Sequence, residues 1–254
     1  MIKKDNRIII QAVFIAGFLA FARCSSMIDD FSSDEKHVDE FSGVENHIPD
    51  WSEKEVAGTH PALWTSVASS SDGTRLAAAV YGGYIYTSTD GGTIWTERKS
   101  AGFRRWYTVT SSADGMKLAA IVNGGYVYTS ADGGKIWAEK QTSGARDFRS
   151  LASSSDGTRL VTGTYISSAA DGGGIYISSD TGTTWTENTS VSDGGWNTMA
   201  SSANGSKLVA ARWNGYIYTS SNYGESWTER TGPGSSIWYS TASSSDGTHL
   251  VAGA

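Results

Sequence analysis

From residue 51 onward, apolar and polar positions recur in short alternating runs, with no sustained helical spacing. Runs such as "WTSVAS", "RLAAAV", "YIYTS" and "WTER" follow one another in fixed order. Each is short, rich in β-branched, aromatic or small residues, and bounded by Gly, Asp, Ser or Asn. That pattern predicts strands. The first strand of each unit starts at an aromatic: Trp64, Trp106, Phe148, Trp196 and Trp238. An "SDG"-type turn leads to the second strand. Glycine-rich turns at 81–83, 123–125 and 214–215 lead to the third. Asn-Gly supplies the positive φ angles of a two-residue hairpin.

The units are copies. "SSSDGTRL" at 69–76 returns in variant form at 111–118, 153–160, 201–208 and 243–250, at spacings of 42, 42, 48 and 42 residues. A period in the forties with four short strands per unit predicts an all-β protein. Its architecture is a β-propeller of four-stranded antiparallel blades. Four units are complete (64–98, 106–140, 148–188 and 196–230), and a partial fifth supplies two strands before Ala254. The longer third unit carries an insertion near 165–174. "WSEK" at 51–54 matches the fourth-strand pattern, and "EFSGV" at 40–44 is a weaker third strand. Two arrangements stay open: a five-bladed ring closed by strands from both termini, or part of a larger ring.

Composition agrees with sheets and turns. Among 254 residues, 30 are Gly and 3 Pro, with 10 Trp and 12 Tyr. The net charge of −6 argues against nucleic acid as a partner. A single cysteine excludes an internal disulfide, and no His/Cys cluster suggests a metal. No cofactor is implied: "DGGG" at 171–174 has neither the lysine nor the helix of a phosphate-cradling loop.

Residues 1–24 read as an export signal, with Lys3, Lys4 and Arg7 ahead of a nearly unbroken apolar run from Ile8 to Ala22. "AFA" at 20–22 suits ordinary cleavage. "LAFARC" resembles a bacterial lipoprotein signal, which makes Cys24 the lipidation candidate, although Arg23 departs from that pattern. Residues 25–50 are acidic and poor in apolar side chains, which predicts a solvated tether. The folded part is 51–254. These features imply a periplasmic or cell-surface protein, possessing a membrane attachment only through its signal or lipid anchor, and monomeric.

A second repeated turn closes each outer hairpin with the pattern S-x-D-x-G-x-x-W. Its residues are Ser88, Asp90, Gly92 and Trp95, then Ser130, Asp132, Gly134 and Trp137, then Ser178, Asp180, Gly182 and Trp185. The fourth copy has Ser220, Asn222, Gly224 and Trp227. The Asp is expected to accept hydrogen bonds within its own turn, a role that Asn222 can fill. The turn resembles the Asp-box, or BNR, repeat of sialidases, other glycoside hydrolases, sortilin-type receptors and photosystem II assembly factors. That resemblance implies a propeller fold but is spread over several functions.

In a propeller blade, the repeated turns share one face of the disc and the variable loops the other. The variable face is therefore the expected binding face. Arg104, Arg105, Arg146, Arg149 and Arg212 map there and are read as breaking the repeat register. Phe103, Tyr107, Tyr165, Trp213 and Tyr239 accompany them. Arginines suit carboxylates or phosphates, and aromatics suit sugar faces. A sialidase needs an arginine triad and a tyrosine activated by a glutamate, yet only Glu55 and Glu225 lie outside the repeat register. Asp147, Asp171 and Asp193 are the off-register aspartates of the variable loops. No catalytic residue is assigned. The expectation is a non-catalytic scaffold binding a protein partner or an anionic glycan. Its alternative is a glycoside hydrolase, sialidase-like or of the paired-carboxylate kind.

Overall fold

The computed structural model describes residues 7–9, 53–55, 63–165, 173–191 and 194–254. Cys24, the acidic segment, the strand expected at 40–44, Trp51 and most of the insertion lie outside the described residues. Two short strands, β1 (Arg7–Ile9) and β2 (Glu53–Glu55), pair with each other in a sheet of their own. Glu53–Glu55 thus does not extend the last unit, as the closed-ring arrangement expected.

Four four-stranded antiparallel meanders follow, the first three joined into one twelve-stranded sheet by short pairings at Tyr81–Arg105 and Asn123–Asp147. The first is β3 (Leu63–Ser69), β4 (Leu76–Gly83), β5 (Ile85–Ser88) and β6 (Thr96–Arg98). The second is β7 (Arg104–Ser111), β8 (Leu118–Gly125), β9 (Val127–Ser130) and β10 (Ala138–Lys140). The third is β11 (Arg146–Ser153), β12 (Leu160–Thr164), β13 (Ile175–Ser178) and β14 (Thr186–Asn188). The fourth is β15 (Trp196–Ser201), β16 (Leu208–Arg212), β17 (Ile217–Ser220) and β18 (Thr228–Arg230). A fifth unit supplies β19 (Ser240–Ser243) and β20 (Leu250–Gly253). Residues at the first strands of all five units line a cavity of about 300 Å³.

The core lies between blades. Trp106, Phe148 and Trp196 are fully buried, and each meets a third-strand tyrosine of its own blade edge-on, with ring centroids 5.0–6.0 Å apart. Across the seam, size is matched. Ala79 shares a buried cluster with Trp106, and Ile121 shares one with the smaller Phe148. Gly163 faces Trp196, where an added Cβ would stand 2.4 Å from the tryptophan Cβ. Close packing of this kind tolerates little volume change.

A backbone belt ties the blades at the first repeated turn. Ser71 N–H donates to Ala113 C=O at 2.8 Å, Ala113 to Ser155 at 2.6 Å, Ser155 to Ala203 at 2.7 Å and Ala203 to Ser245 at 2.8 Å. The turn itself is held by a carboxylate. In the third blade the Ser154 hydroxyl donates to Asp156 at 2.6 Å and the Thr158 N–H at 3.0 Å, and these bonds draw its pKa from 3.8 to about 2. Asn204 does the same bonding without charge in the fourth blade. The glycine that follows has a positive φ and no free space. A Cβ on Gly157 would lie 2.7 Å from the Lys117 Cβ of the preceding blade.

Gly157→Ala is expected to destabilise by about 2 kcal/mol or more, since both φ and packing oppose it. Gly124→Ala, at a φ of +67 close to the +69 of Gly157 but with open space around it, should lose only about 1 kcal/mol. Thermal denaturation of the pair checks this. A carboxylate depressed on folding stabilises above its ordinary pKa, and that contribution is lost as pH falls through the folded value. Stability should therefore drop between pH ~4 and ~2. Asp156→Asn should drop less over that window, as followed by melting temperature against pH.

Candidate functional site

The unrepeated face is built from two concentric sets of positions. The inner set opens each first strand toward the axial cavity: Thr65, Tyr107, Arg149, Asn197 and Tyr239. Four of them, all but Tyr107, line the cavity directly. The outer set follows the seams. Leu63 pairs with Tyr81, Tyr81 with Arg105, and Asn123 with Asp147. Trp213 N–H donates to Gly195 C=O at 2.7 Å. Asn123, Tyr81 and Asn197 carry no motif. The signal that marks them is the spacing itself: 65, 107, 149, 197 and 239 vary between a repeated aromatic and a repeated Ser or Thr, and 81, 123, 165 and 213 read Tyr, Asn, Tyr and Trp.

Arg149 is the centre of this face. Its Nη2 lies 3.3 Å from Asp147 Oδ2, and its Nη1 donates to the Tyr107 hydroxyl at 3.2 Å. Asp147 also accepts from Asn123 Nδ2 at 2.8 Å. The guanidinium carbon stands 5.1 Å from the Tyr107 ring centre and 4.6 Å from that of Tyr165. Burial opposes the charge, but the Tyr107 and Asp147 bonds outweigh it and hold the Arg149 pKa above its ordinary value. The aromatic row continues. Tyr165 meets Trp213 at 6.4 Å and 83°, and Trp213 meets Tyr239 at 5.4 Å and 86°. Trp213 and Tyr239 remain 38% and 45% exposed.

Three of the other arginines turn away from the mouth. Arg104 and Arg146 do not break the register: they occupy the same place in successive blades, 42 residues apart. Each stacks on a third-strand tyrosine, at 4.8 Å from the Tyr128 ring centre and 4.5 Å from that of Tyr176. The fourth blade has Gly194 at this place, and Arg212 fills it from the second strand. An added Cβ on Gly194 would lie 2.4 Å from Arg212 Nε, and the guanidinium stands 4.6 Å from Trp196 and 4.8 Å from Tyr218. The flat cation covers the aromatic pair of its blade, an arrangement favourable by about 1 kcal/mol. Arg105 is exposed on the outer set. Phe103 stands apart from the mouth, edge-on to Tyr84 at 5.5 Å.

The repeated turns lie on the opposite face. In the first blade, Ser88 Oγ donates to Asp90 Oδ1 at 2.7 Å, and Ile94 N–H donates to the same oxygen at 2.9 Å. Asn222 accepts equivalent bonds from Ser220 and Ser226. Asp132 and Asp180 are bonded in the same way. Glutamates of the fourth strands bind buried tyrosines: Glu97 with Tyr86, Glu139 with Tyr128 and Glu229 with Tyr218. Burial, then Glu97, pushes the Tyr86 phenol up to about 12, the reverse of activation as a nucleophile. Asp171 and Asp193 lie outside the described residues. Among the described residues there is no group of three or more His, Cys, Asp or Glu placed to hold a metal.

No protein-family model and no curated protein matches the chain. Solved structures do. The fold is similar to the GH74 xyloglucanase from Xanthomonas campestris, with a TM-score of 0.63 and 15% identity over 82% of this chain. It is also similar to YCF48 from Cyanidioschyzon merolae, with a TM-score of 0.57 and 17% identity over 78% of this chain. The chain is a β-propeller. It spans 38% of the xyloglucanase and 66% of YCF48, and identities this low speak to the fold alone.

If Arg146 covers its blade rather than greeting a ligand, Arg146→Ala should lower the propeller's stability by about 1 kcal/mol. Arg105→Ala should leave it within ~0.5 kcal/mol. Urea titration of the two variants checks the contrast.

Proposed function

We propose that this propeller is a non-catalytic, exported scaffold that holds a protein partner at the mouth of its axial cavity. The observation that carries the reading is the gathering of Tyr107, Arg149, Tyr165, Trp213 and Tyr239 into one row on the unrepeated face. Tyr, Trp and Arg are the residue types that dominate protein interfaces, and here they sit on rigid strands around a concavity. An anionic glycan fits less well. Four of the five arginines that would attract it are stacked on tyrosines, and one of them, Arg149, already has a carboxylate partner. Hydrolysis fits less well again, because Asp147 is committed to Arg149 and Asn123. The aspartates of the repeated turns serve as braces. Export is our reading of the N-terminal segment, with either ordinary cleavage after residue 22 or anchoring through Cys24.

A photo-crosslinking side chain at position 239 should capture a discrete protein in the native envelope. Arg149→Ala should cut that capture about tenfold. The same side chain at position 94, on the opposite face, should capture none. Turnover of a fluorogenic glycoside panel, lost in Asp147→Asn, would overturn the reading.

A further inference from the structure

The repeated face, away from the mouth, has one seam unlike the others. At each seam a cation at the start of a second strand lies across the first turn of the next blade. Arg75 lies beside Gly115, Lys117 beside Gly157, Arg159 beside Gly205 and Lys207 beside Gly247. The repeat surrounds that cation with carboxylates. The blade that Arg75 meets carries Asp114 and Asp132 in its two turns, and the blade that Lys117 meets carries Asp156 and Asp180. Lys207 meets Asp246. Arg159 meets Asn204 and Asn222 instead, so both turns are neutral at this seam. Among the described residues, ion pairs join Lys99 to Glu97 and Arg149 to Asp147, and Arg159 makes none. Asp156, in its own turn, is taken up by Ser154 and Thr158. Glu225, in the facing turn, is bonded through its carbonyl to Asn188 at 3.0 Å.

A second departure falls at the same place. The residue after the box Asp is left-handed in all four complete blades. It is Gly91, Gly133 and Thr181 in the first three, and Tyr223, at φ 61, in the fourth. A bulky side chain is strained there. Its backbone is pinned, because Tyr223 N–H donates to Ser206 C=O at 2.9 Å, and this bond ties the Asn222 turn to the Asn204 turn. The Arg159 guanidinium carbon stands 4.0 Å from the Tyr223 ring centre, and the ring remains 39% exposed. At the first seam, Arg75 has only Gly133 in that position. Strain held for a partly exposed ring points to a use outside the fold.

A guanidinium laid flat on a ring keeps its N–H groups at its edge, as a fork that meets both oxygens of a carboxylate. Asn204 adds a donor. Its Oδ1 accepts from Ser202 and from the Ser206 N–H, both at 3.0 Å. Its other branch, an acceptor oxygen in Asp156, is therefore an amide donor here. The chain's net charge of −6 repels acids in general, so attraction at this seam is local. We propose that Arg159, Tyr223 and Asn204 form a carboxylate-binding site on the repeated face, independent of whatever the mouth holds.

The test titrates the full chain, labelled with nitrogen-15, with a capped hexapeptide that has one Glu among glycines. Shifts should saturate at Arg159, Asn204 and Tyr223, and the same peptide with Gln should bind about tenfold more weakly. Arg159→Gln should weaken binding about tenfold. Asn204→Asp restores the acid that four other units hold, so it keeps the fold, and should weaken binding about fivefold. Tyr223→Gly, the residue of the first two blades, should weaken it about threefold. Arg75→Gln, at a seam with its carboxylates in place, should change it less than about twofold. Absence of saturable shifts, equal binding of the Gln peptide, or an affinity unmoved by Asn204→Asp would overturn the proposal. So would Arg75→Gln weakening binding as much as Arg159→Gln, or Tyr223→Gly lowering the melting temperature with affinity unchanged. Displacement of the peptide by inorganic phosphate but not by acetate would overturn the choice of carboxylate. Capture at position 239 is unaffected by any of these outcomes.

Discussion

The propeller depends on one interlock, made where each blade's first turn meets the blade before it. A backbone N–H of one turn donates to a carbonyl of the next, from Ser71 through Ala113, Ser155 and Ala203 to Ser245. The turn glycines Gly115, Gly157, Gly205 and Gly247 lie against the stems of Arg75, Lys117, Arg159 and Lys207. First strands of adjacent blades share no ladder with each other; this belt, the side-chain hydroxyls beside it and the short pairings of Tyr81 with Arg105 and Asn123 with Asp147 set their spacing. Thr65 reaches the Trp106 carbonyl, and Thr198 bonds Thr241. Everything at the cavity mouth stands on strands whose positions this belt determines.

That dependence explains why the turn sequences hardly vary while the loops do. A turn residue answers to its own hairpin, to the preceding blade and to the belt at once. Asp156 can become Asn, as at 204, because the hydrogen bonds survive. Gly157 has no such substitute. A loop residue on the opposite face answers to nothing but what it touches.

The repeat made strands, blades and the two faces legible in the chain, because each rests on local chemistry: aromatic starts, Asn-Gly turns, carboxylate-bonded loops. The arginines were harder. Arg104 and Arg146 looked exceptional beside Gly194, yet they repeat, and the fourth blade recovers the same cation from Arg212 by a different route. A linear spacing cannot show that two sequence positions fill one volume. Nor could it show that Asp147, two residues from Arg149 and a candidate acid, is that arginine's partner. Alternation along a strand puts both on one side, but the choice between catalyst and clamp lies in three-dimensional distance.

The matched seams have a further consequence. Ala79 meets Trp106, Ile121 meets Phe148 and Gly163 makes room for Trp196. Blades that look interchangeable at their turns are therefore keyed at their flanks, each fitting one neighbour. Removing the third unit would oppose Ile121 to Trp196, and repeating it would oppose Gly163 to Phe148. Either junction would leave a clash or a void. The order of the second, third and fourth units is thus written in side-chain volume at their seams as well as in their turns.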